Sequence, residues 1–450
     1  MRWSGILALA LIGACVSSAA LAATPLPFDP DEATRAWLAT MGPEATARSN
    51  SYFEGGYWIS LADAAITIAI STALMLLGFA KGVRAWLEKT VKFYVLVVFG
   101  MALLYLLASG MIAFPFHYYV QFVREHHYGL STQTFQAWFG EYALMFAINL
   151  IAGAIFISII YLVIRAAKSA WWIWATGVTI AVLVVLIALS PVYVAPLFND
   201  YTPMQEGAQK DDILHMAQAN GVPADNVYVF DVSRQSNRVT ANVSGMFGTT
   251  RISLSDTLLE RVSPGGVREV MGHEIGHYVL HHLTSILLMQ GVLIAFVFAL
   301  TNILFNRLAQ GERWGVRGMS DPAGMPLAFA LITFLLTLTA PISNNITRYH
   351  EHQADIFGLN ASREPDGLAE AALLLSEYRK MEPSPLEEWA FYDHPSGYAR
   401  IHMAMQWKAH EMAAGRYPTG PGGPPPGWRP DFVVLQPRTN PAPSPAAPSD

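Results

Sequence analysis

Apolar residues gather in six long runs, each about as long as a helix that crosses a lipid bilayer. The runs cover residues 58–80, 93–113, 143–164, 171–195, 283–305 and 327–346. Because a bilayer core needs about 20 apolar residues in a helix, each run is long enough to span. A buried helix of a soluble protein can hold one such run, but six in one chain predict a multi-pass α-helical membrane protein.

The amino-acid composition agrees with a membrane protein and indicates which kinds of partner to expect. Hydrophobic residues make up 53% of the 450 residues and charged residues only 14%, with a mean hydropathy of +0.31. These values are too apolar for an ordinary soluble protein, so the lipid bilayer is an expected partner. A net charge of −6 without basic blocks gives no reason to expect a nucleic-acid partner, and the oligomeric state stays open.

The first residues have the pattern of a secretory signal. Arg2 precedes a short apolar centre, and small residues follow at Ala20 and Ala22, as at a cleavage site. We expect residues 1–22 to be a signal peptide and residues 23–56 to lie outside the membrane. Two alternatives remain, namely an uncleaved first membrane helix and a lipoprotein signal in which Cys15, the only cysteine, is modified.

The charges of the loops predict an orientation. Basic residues concentrate in the loops after the first, third and fifth runs, namely Lys81, Arg84, Lys89, Lys92, Arg165, Lys168, Arg307, Arg313 and Arg317. Residues 23–56 instead carry five acidic and two basic side chains. Because Lys and Arg favour cytoplasmic loops, we expect a protein of the bacterial inner membrane whose residues around 273 face the periplasm.

The polar stretch 198–282 reads as a folded unit between the fourth and fifth runs. Short strands are predicted at 227–232, 239–247 and 251–255, and Pro264 is well placed to begin a helix that runs on towards the fifth run. We therefore divide the chain into a membrane domain of four helices (57–197) and a second domain (198–415) with a small β-sheet and two membrane helices (283–305 and 327–346). The Pro/Gly-rich tail 416–450 is expected to be disordered.

The helix predicted after Pro264 carries the motif His273-Glu274-Ile275-Gly276-His277. Two histidines four residues apart share one helical face, where both can bind one zinc ion beside Glu274. Zinc lowers the pKa of a bound water to about 7, and Glu274 can accept its proton during attack on a peptide carbonyl. The motif can arise by chance, but in this context it indicates a zinc metalloendopeptidase.

A catalytic zinc usually takes three protein ligands, so a third is needed. The best candidate is Glu351, with Asp355 one helical turn away and able to orient a liganding imidazole. His350 and His352 are rival ligands. Two predicted membrane helices, 283–305 and 327–346, separate each of these candidates from the motif in the sequence.

The motif HEIGH, the stretch TRYHEHQADIFG (347–358) and the later DHPSGYAR (393–400) together resemble the type I CAAX prenyl endopeptidases, which are membrane-embedded gluzincin metalloproteases. Further matches lie at 124–131, 196–199 and 251–259, and the resemblance extends from about residue 51 to about residue 406. It implies a mainly α-helical membrane protein with a gluzincin-type zinc protease domain.

The resemblance also implies roles for single residues. It implies that one Zn²⁺ per chain is bound by His273, His277 and Glu351. It also implies that Glu274 is the general base and that Asp355 contacts a liganding imidazole without binding zinc itself. It adds His394 and Arg400, which would bind the substrate carbonyl and its developing negative charge. The substrate is expected beside the strand that begins at Thr240, Ala241 and Asn242, although family members commonly have Asn-Ala there.

The sequence therefore predicts an integral-membrane zinc metalloendopeptidase acting on peptide or protein substrates, similar to CAAX prenyl protease 1. Processing and quality control of membrane or envelope proteins is the expected setting. A site-2-type intramembrane protease is the first alternative, disfavoured because the motif follows the polar stretch 261–269. A non-proteolytic transporter with a metal site is the second, and it leaves Glu274 without a purpose.

Overall fold

The computed structural model describes residues 25–244, 250–309, 314–375, 377–430 and 432. The predicted signal peptide lies outside the described residues. Helices dominate the described part of the chain, which contains α1 Pro30–Ala39, α2 Gly42–Leu76, α3 Phe79–Thr90, α4 Tyr94–Tyr118, α5 Arg124–His127, α6 Phe135–Ala167, α7 Trp171–Leu189, α8 Ala208–Ala219, α9 Asp256–Arg261, α10 Pro264–Val279, α11 His282–Leu308, α12 Met325–Ser362, α13 Pro365–Leu375, α14 Pro385–Phe391 and α15 Gly397–Ala413.

Five continuous helical stretches in the described residues are long and apolar enough to cross a membrane. They are Gly42–Leu76, Tyr94–His127, Phe135–Leu197, His282–Leu308 and Pro322–Ser362. The third has 63 residues, which would measure roughly 95 Å as one straight helix. It is broken at Lys168, whose φ of 51° lies in the left-handed region, and α6 and α7 pack against each other on either side. These helices contain the third to sixth predicted apolar runs, and the first two runs apart from residues 77–80 and 93, so the multi-pass fold is confirmed.

A small sheet lies between α7 and α10. Its strands are β1 Tyr201–Pro203, β2 Val227–Phe230, β3 Ala241–Ser244 and β4 Arg251–Ser255, in the order β1-β2-β4-β3. β2 and β4 run parallel, whereas β3 pairs antiparallel with β4. Val227, Ile252 and Leu254 are fully buried in the cluster that also contains α8 and α10 side chains. Among the described residues β3 is therefore an edge strand, and it packs beside α10.

The basic loops meet at one end of the helix bundle. Arg84 forms a buried ion pair with Asp321, and Arg317 bonds Glu88 at 2.7 Å. The hydroxyl of Tyr94 donates to the carbonyl of Ser320 at 2.6 Å. These contacts join the segments between α2 and α4 to the segment before α12. The sheet, α10 and α15 belong to the opposite end.

The two terminal segments of the described chain meet on α15. α1 packs against α15, and the rings of Trp37 and Trp428 lie 4.8 Å apart in an edge-to-face contact. Phe28 fills the space beside Gly422, where an added Cβ would lie 2.4 Å from its ring. The described part of the tail, which was predicted to be disordered, thus packs against the fold. Trp428 provides the apolar surface for this contact, although the tail is rich in Pro and Gly.

Candidate active site

Helix α10 places the two histidines of the motif on one face. Its start is set by Ser263, whose hydroxyl accepts a hydrogen bond from the amide of Gly266 at 3.1 Å, and by Pro264 in the first turn. The helix that is predicted to run towards the fifth apolar run stops before it, because α10 ends at Val279 and His281 adopts a φ of 54°. This turn brings His282 Nδ1 within 3.0 Å of His277 Nδ1.

Glycines let α10 and α12 cross at close range. An added Cβ on Gly272 would lie 3.1 Å from the Cα and carbonyl oxygen of Gly358, and one on Gly276 would lie 3.1 Å from the Phe357 side chain. Residues without side chains allow two helix backbones to approach each other in this way. The crossing brings the α12 residues Glu351 and Asp355 beside the histidines of α10.

Three of the predicted ligands converge. The Nε2 atoms of His273 and His277 are 3.0 Å apart, and they lie 3.2 Å and 3.5 Å from the carboxylate of Glu351. Two ligands that each lie about 2.1 Å from a tetrahedral zinc are about 3.4 Å apart. Within the described residues this group can hold a metal ion, and its spacing fits zinc.

The buried carboxylate of Glu351 gives a second sign of a cation site. Its Oε2 atom lies 3.2 Å from the Nε2 atoms of both His273 and His394, yet it forms no hydrogen bond. Buried carboxylate oxygens are normally satisfied. Nitrogen and oxygen atoms that converge on one point suit a common ion, and two imidazoles with a carboxylate suit zinc.

Asp355 lies behind the histidines and is fully buried. The Nδ1–H of His273 donates to its Oδ1 at 2.8 Å, which leaves Nε2 of that ring free to act as a ligand. Arg400, on α15, donates to the same carboxylate from Nε at 2.9 Å and from Nη2 at 2.6 Å. Burial would lower the pKa of Arg400, but the charge of Asp355 outweighs it and raises the pKa.

His394 approaches the cluster from the loop before α15. Its Nε2 faces Glu351, as described above, and its Nδ1 lies 2.8 Å from Asp393 Oδ1. Asp393 thus orients His394 much as Asp355 orients His273. Asp393 was not among the predicted site residues, although it stands directly before His394 in the sequence.

The pKa values of the surrounding acids and bases reflect burial and mutual charge. Burial raises the pKa of Glu274, while the imidazoles of His273 and His277 oppose the shift. Burial lowers the pKa of His273, but the hydrogen bond to Asp355 and the adjacent carboxylate of Glu351 outweigh it and raise the pKa to about 10. Glu274 therefore sits where a proton is readily accepted and held.

Other candidates fall outside the cluster. The rival ligand His350 bonds the carbonyl of Ile346 and the hydroxyl of Ser285, and His352 is exposed. Glu269, which the sequence analysis missed, is fully buried one turn before His273, and neither of its carboxylate oxygens has a hydrogen-bond partner. Burial, with the charge of Asp355, raises the pKa of Glu269 to about 8.

Comparison with known proteins matches both halves of the chain to described families. Residues 203–408 match peptidase family M48, and residues 33–200 match the N-terminal region of CAAX prenyl proteases, described as five membrane helices. The chain contains a peptidase family M48 domain. This M48 peptidase is a membrane-embedded zinc metalloprotease of the CAAX prenyl protease-like kind, and neither the site-2-type protease nor the transporter is favoured.

Individual relatives span most of the M48 peptidase described here. The uncharacterised metalloprotease YhfN of Bacillus subtilis is 28% identical over 336 residues, which are 74% of this chain and 78% of that protein. CAAX prenyl protease 1 of Saccharomyces cerevisiae is 27% identical over 314 residues, 65% of this chain and 68% of that protein. The crystal structure of S. mikatae Ste24p, 21% identical, has the same fold, with a TM-score of 0.67 over 83% of this chain and 94% of that one.

Proposed function

We propose that this protein is a zinc endopeptidase that binds one Zn²⁺ per chain through His273, His277 and Glu351. The convergence of these three side chains at zinc-ligand spacing carries the proposal. The bound ion would polarise the peptide carbonyl and acidify a water. The residues around it supply the remaining steps.

Glu274 acts as the general base and then as the general acid. It accepts a proton from the attacking water, whose oxygen forms a bond to the peptide carbonyl carbon. When the C–N bond breaks, the same carboxyl gives the proton to the leaving nitrogen. The raised pKa of Glu274 suits a group that must hold and then release a proton.

His394, Asp355 and Arg400 assist this step in different ways. The imidazolium form of His394 can donate a hydrogen bond from Nε2 to the carbonyl oxygen as negative charge develops there, while its Nδ1–H donates to Asp393, which orients the ring. Asp355 fixes the tautomer of His273. The expectation that Arg400 binds the substrate carbonyl directly stays a prediction, and its two bonds to Asp355 favour a positioning role.

The substrate lies extended along the free edge of β3. The amide of Ser255 donates to the carbonyl of Thr240, and inward and outward bonding alternates along an antiparallel strand. Thr240 and Asn242 therefore direct their backbone groups into the sheet. Ala241 directs its groups outward, where they can pair with a peptide. Of the three predicted substrate contacts, Ala241 is the one that we assign to backbone pairing.

We propose that the protein is an inner-membrane protein whose site faces the periplasm. The basic loops meet at the end of the bundle opposite to the site, and basic loops favour the cytoplasm. The division into 57–197, 198–415 and the flanking segments stays a prediction. A periplasmic site suits processing and quality control of membrane or envelope proteins, which would accumulate in membranes that lack the active enzyme.

The catalytic assignment is tested with Glu274→Gln. The variant should keep zinc, because the ligands are intact, and lose cleavage of peptides and denatured membrane proteins. Glu260→Gln, which changes an exposed glutamate on α9, is the matched control and should retain both. Cleavage by Glu274→Gln at the wild-type rate would contradict the mechanism.

Orientation is tested separately with reporter fusions after Arg84 and after Ser263. A reporter that is active only in the cytoplasm should work at Arg84 and fail at Ser263. Activity of that reporter at Ser263 would reverse the proposed topology and leave the chemistry of the site unaffected.

A further inference from the structure

His277 is the less enclosed of the two histidines that we propose as zinc ligands. Its side chain is 25% exposed, whereas that of His273 is 10% exposed. Packing therefore restrains the His277 ring less, and its orientation depends more on hydrogen bonds. Asp355 holds the ring of His273 through Nδ1. The Nδ1 atom of His277 instead meets another imidazole, because it lies 3.0 Å from Nδ1 of His282.

The ligand role of His277 decides the direction of this hydrogen bond. Two imidazole nitrogens can form a hydrogen bond only if one carries a proton and the other offers a lone pair. The Nε2 atom of His277 faces the ligand cluster, 3.0 Å from Nε2 of His273, and a neutral imidazole binds a metal through its unprotonated nitrogen. His277 then carries its proton on Nδ1 and donates it to His282. The reverse direction would place the proton of His277 on Nε2, where it would block metal binding.

A break between two helices brings His282 to this place. On one continuous helix, residues five positions apart point about 140° away from each other, so an unbroken α10 would turn His282 away from His277. Instead, His281 has a φ of 54°, and α11 begins at His282. This left-handed conformation is costly for a residue other than glycine. Backbone strain of this kind persists where the surrounding structure enforces it, often at functional sites.

The ring of His282 is itself held in a fixed place. The residue is 2% exposed, and its ring centroid lies 4.9 Å from that of His350 in an edge-to-face contact. His350 is held in turn by its bonds to the carbonyl of Ile346 and the hydroxyl of Ser285. A ring whose own position is locked by packing can orient a neighbouring ligand. His350, a rival ligand by sequence, thus packs behind His282.

We propose that His282 is a positioning residue that accepts a hydrogen bond from Nδ1–H of His277 and so keeps Nε2 of that ring directed at the zinc. The proposal rests on the zinc endopeptidase function above. Such a bond fixes the tautomer and the ring orientation of a liganding histidine. A neutral imidazole is a weaker acceptor than the carboxylate of Asp355, but it adds no further negative charge beside Glu274 and Glu351.

The first test measures zinc affinity by chelator competition on the full-length protein in detergent. His282→Phe keeps a ring but removes the acceptor, and it should weaken zinc binding by about 10-fold, at the lower end of the range for residues that orient ligands. His282→Asn places an amide oxygen near the position of Nδ1 and should recover most of the affinity. At saturating zinc, His282→Phe should lower kcat and leave KM nearly unchanged, because the substrate contacts are intact.

Thermal unfolding separates positioning of a ligand from general support of the fold. An ion that binds only the folded state stabilises it by an amount that grows with its affinity. His282→Phe should therefore lower Tm when zinc is present and leave Tm of the metal-free protein close to that of the wild type. His215→Phe, which changes an exposed histidine on α8, is the matched control and should behave as the wild type in both conditions. An equal fall in Tm with and without zinc would overturn the positioning role of His282.

The helix break is tested without touching either ring of the pair. Valine strongly disfavours the left-handed region, whereas glycine adopts it freely. The exposed His281 can be replaced by either residue. His281→Val should bind zinc more weakly than His281→Gly, because only glycine keeps the turn that directs His282 towards His277. Equal zinc affinity in these two variants would overturn the link between the turn and the site.

The outcomes distinguish failure of this proposal from failure of the proposed function. Wild-type zinc affinity in His282→Phe would overturn the positioning role and leave the endopeptidase function standing. An equal loss of affinity in His282→Phe and His282→Asn would overturn the role of the acceptor in the same way. If the wild type binds no zinc and cleaves no peptide in a manner that depends on Glu274, the proposed function itself fails, and the positioning role fails with it.

Discussion

Replacing Gly358 by alanine tests whether the close crossing of α10 and α12 sets the ligand geometry. The added Cβ would lie 2.8 Å from Glu269 Oε1, 2.9 Å from the backbone nitrogen of His273 and 3.2 Å from its Cα. The Glu269 side chain can rotate away, but the α10 backbone cannot. That backbone must withdraw by about 0.5 Å to turn the 2.9 Å contact into an ordinary 3.4 Å one.

Two opposing effects set the expected change in stability, and a backbone shift sets the expected change in zinc affinity. Alanine improves the intrinsic helix propensity by about 1 kcal/mol, whereas overpacking costs about 1–3 kcal/mol. The net loss of stability is therefore at most about 2 kcal/mol. Zinc sites tolerate distance errors of only about 0.2 Å, so moving His273 by about 0.5 Å relative to Glu351 should weaken zinc binding by about 10- to 100-fold, as disturbance of ligand orientation does.

The assay is chelator competition for zinc on purified protein in detergent, together with peptide cleavage and thermal unfolding. Gly82→Ala is the matched control, because an added Cβ there has nothing within 4 Å, and it should leave zinc affinity unchanged. If Gly358→Ala binds zinc and cleaves peptide like the wild type, the crossing does not determine the site.

Two more predictions concern the buried carboxyl groups near the site. Asp355→Asn should lower zinc affinity by about 10- to 100-fold with little change in fold. Chelator competition measures this affinity. If the variant binds zinc as tightly as the wild type, Asp355 does not support zinc binding. The pKa of Glu269, raised to about 8 in the folded protein, means that the folded state holds a proton that the unfolded state releases above about pH 4.5. Stability should therefore fall between about pH 4.5 and 8, by at most about 1.4 kcal/mol per pH unit from this group. Glu269→Gln should flatten that slope in unfolding curves, and an unchanged slope would assign it to other groups.

Local patterns were enough to predict much of the fold. Six apolar runs predicted the membrane helices because length and hydropathy decide insertion without reference to distant residues. The HEIGH motif placed His273 and His277 correctly on one face because their spacing is set within a single helix. The assignment of Glu351 and Asp355 depended on their i, i+4 relation in the same way.

Features that depend on two distant segments were not predicted. The break at His281 needs a left-handed residue, for which histidine gives no strong signal. The crossing of α10 and α12 determines that Gly272 contacts Gly358. It also determines that the buried carboxylate of Glu269 has no hydrogen-bond partner among the described residues. The packing of Trp428 on Trp37 joins opposite ends of the chain, whereas composition alone indicated a disordered tail.

The order in which the ribosome makes the site has a consequence for biosynthesis. The histidines of α10 emerge first, Glu351 follows only after α11 and the first part of α12, and Arg400 comes still later. A nascent chain therefore carries two of the three proposed zinc ligands until the last two membrane helices are made. We therefore expect the protease to stay inactive until Glu351 joins the two histidines.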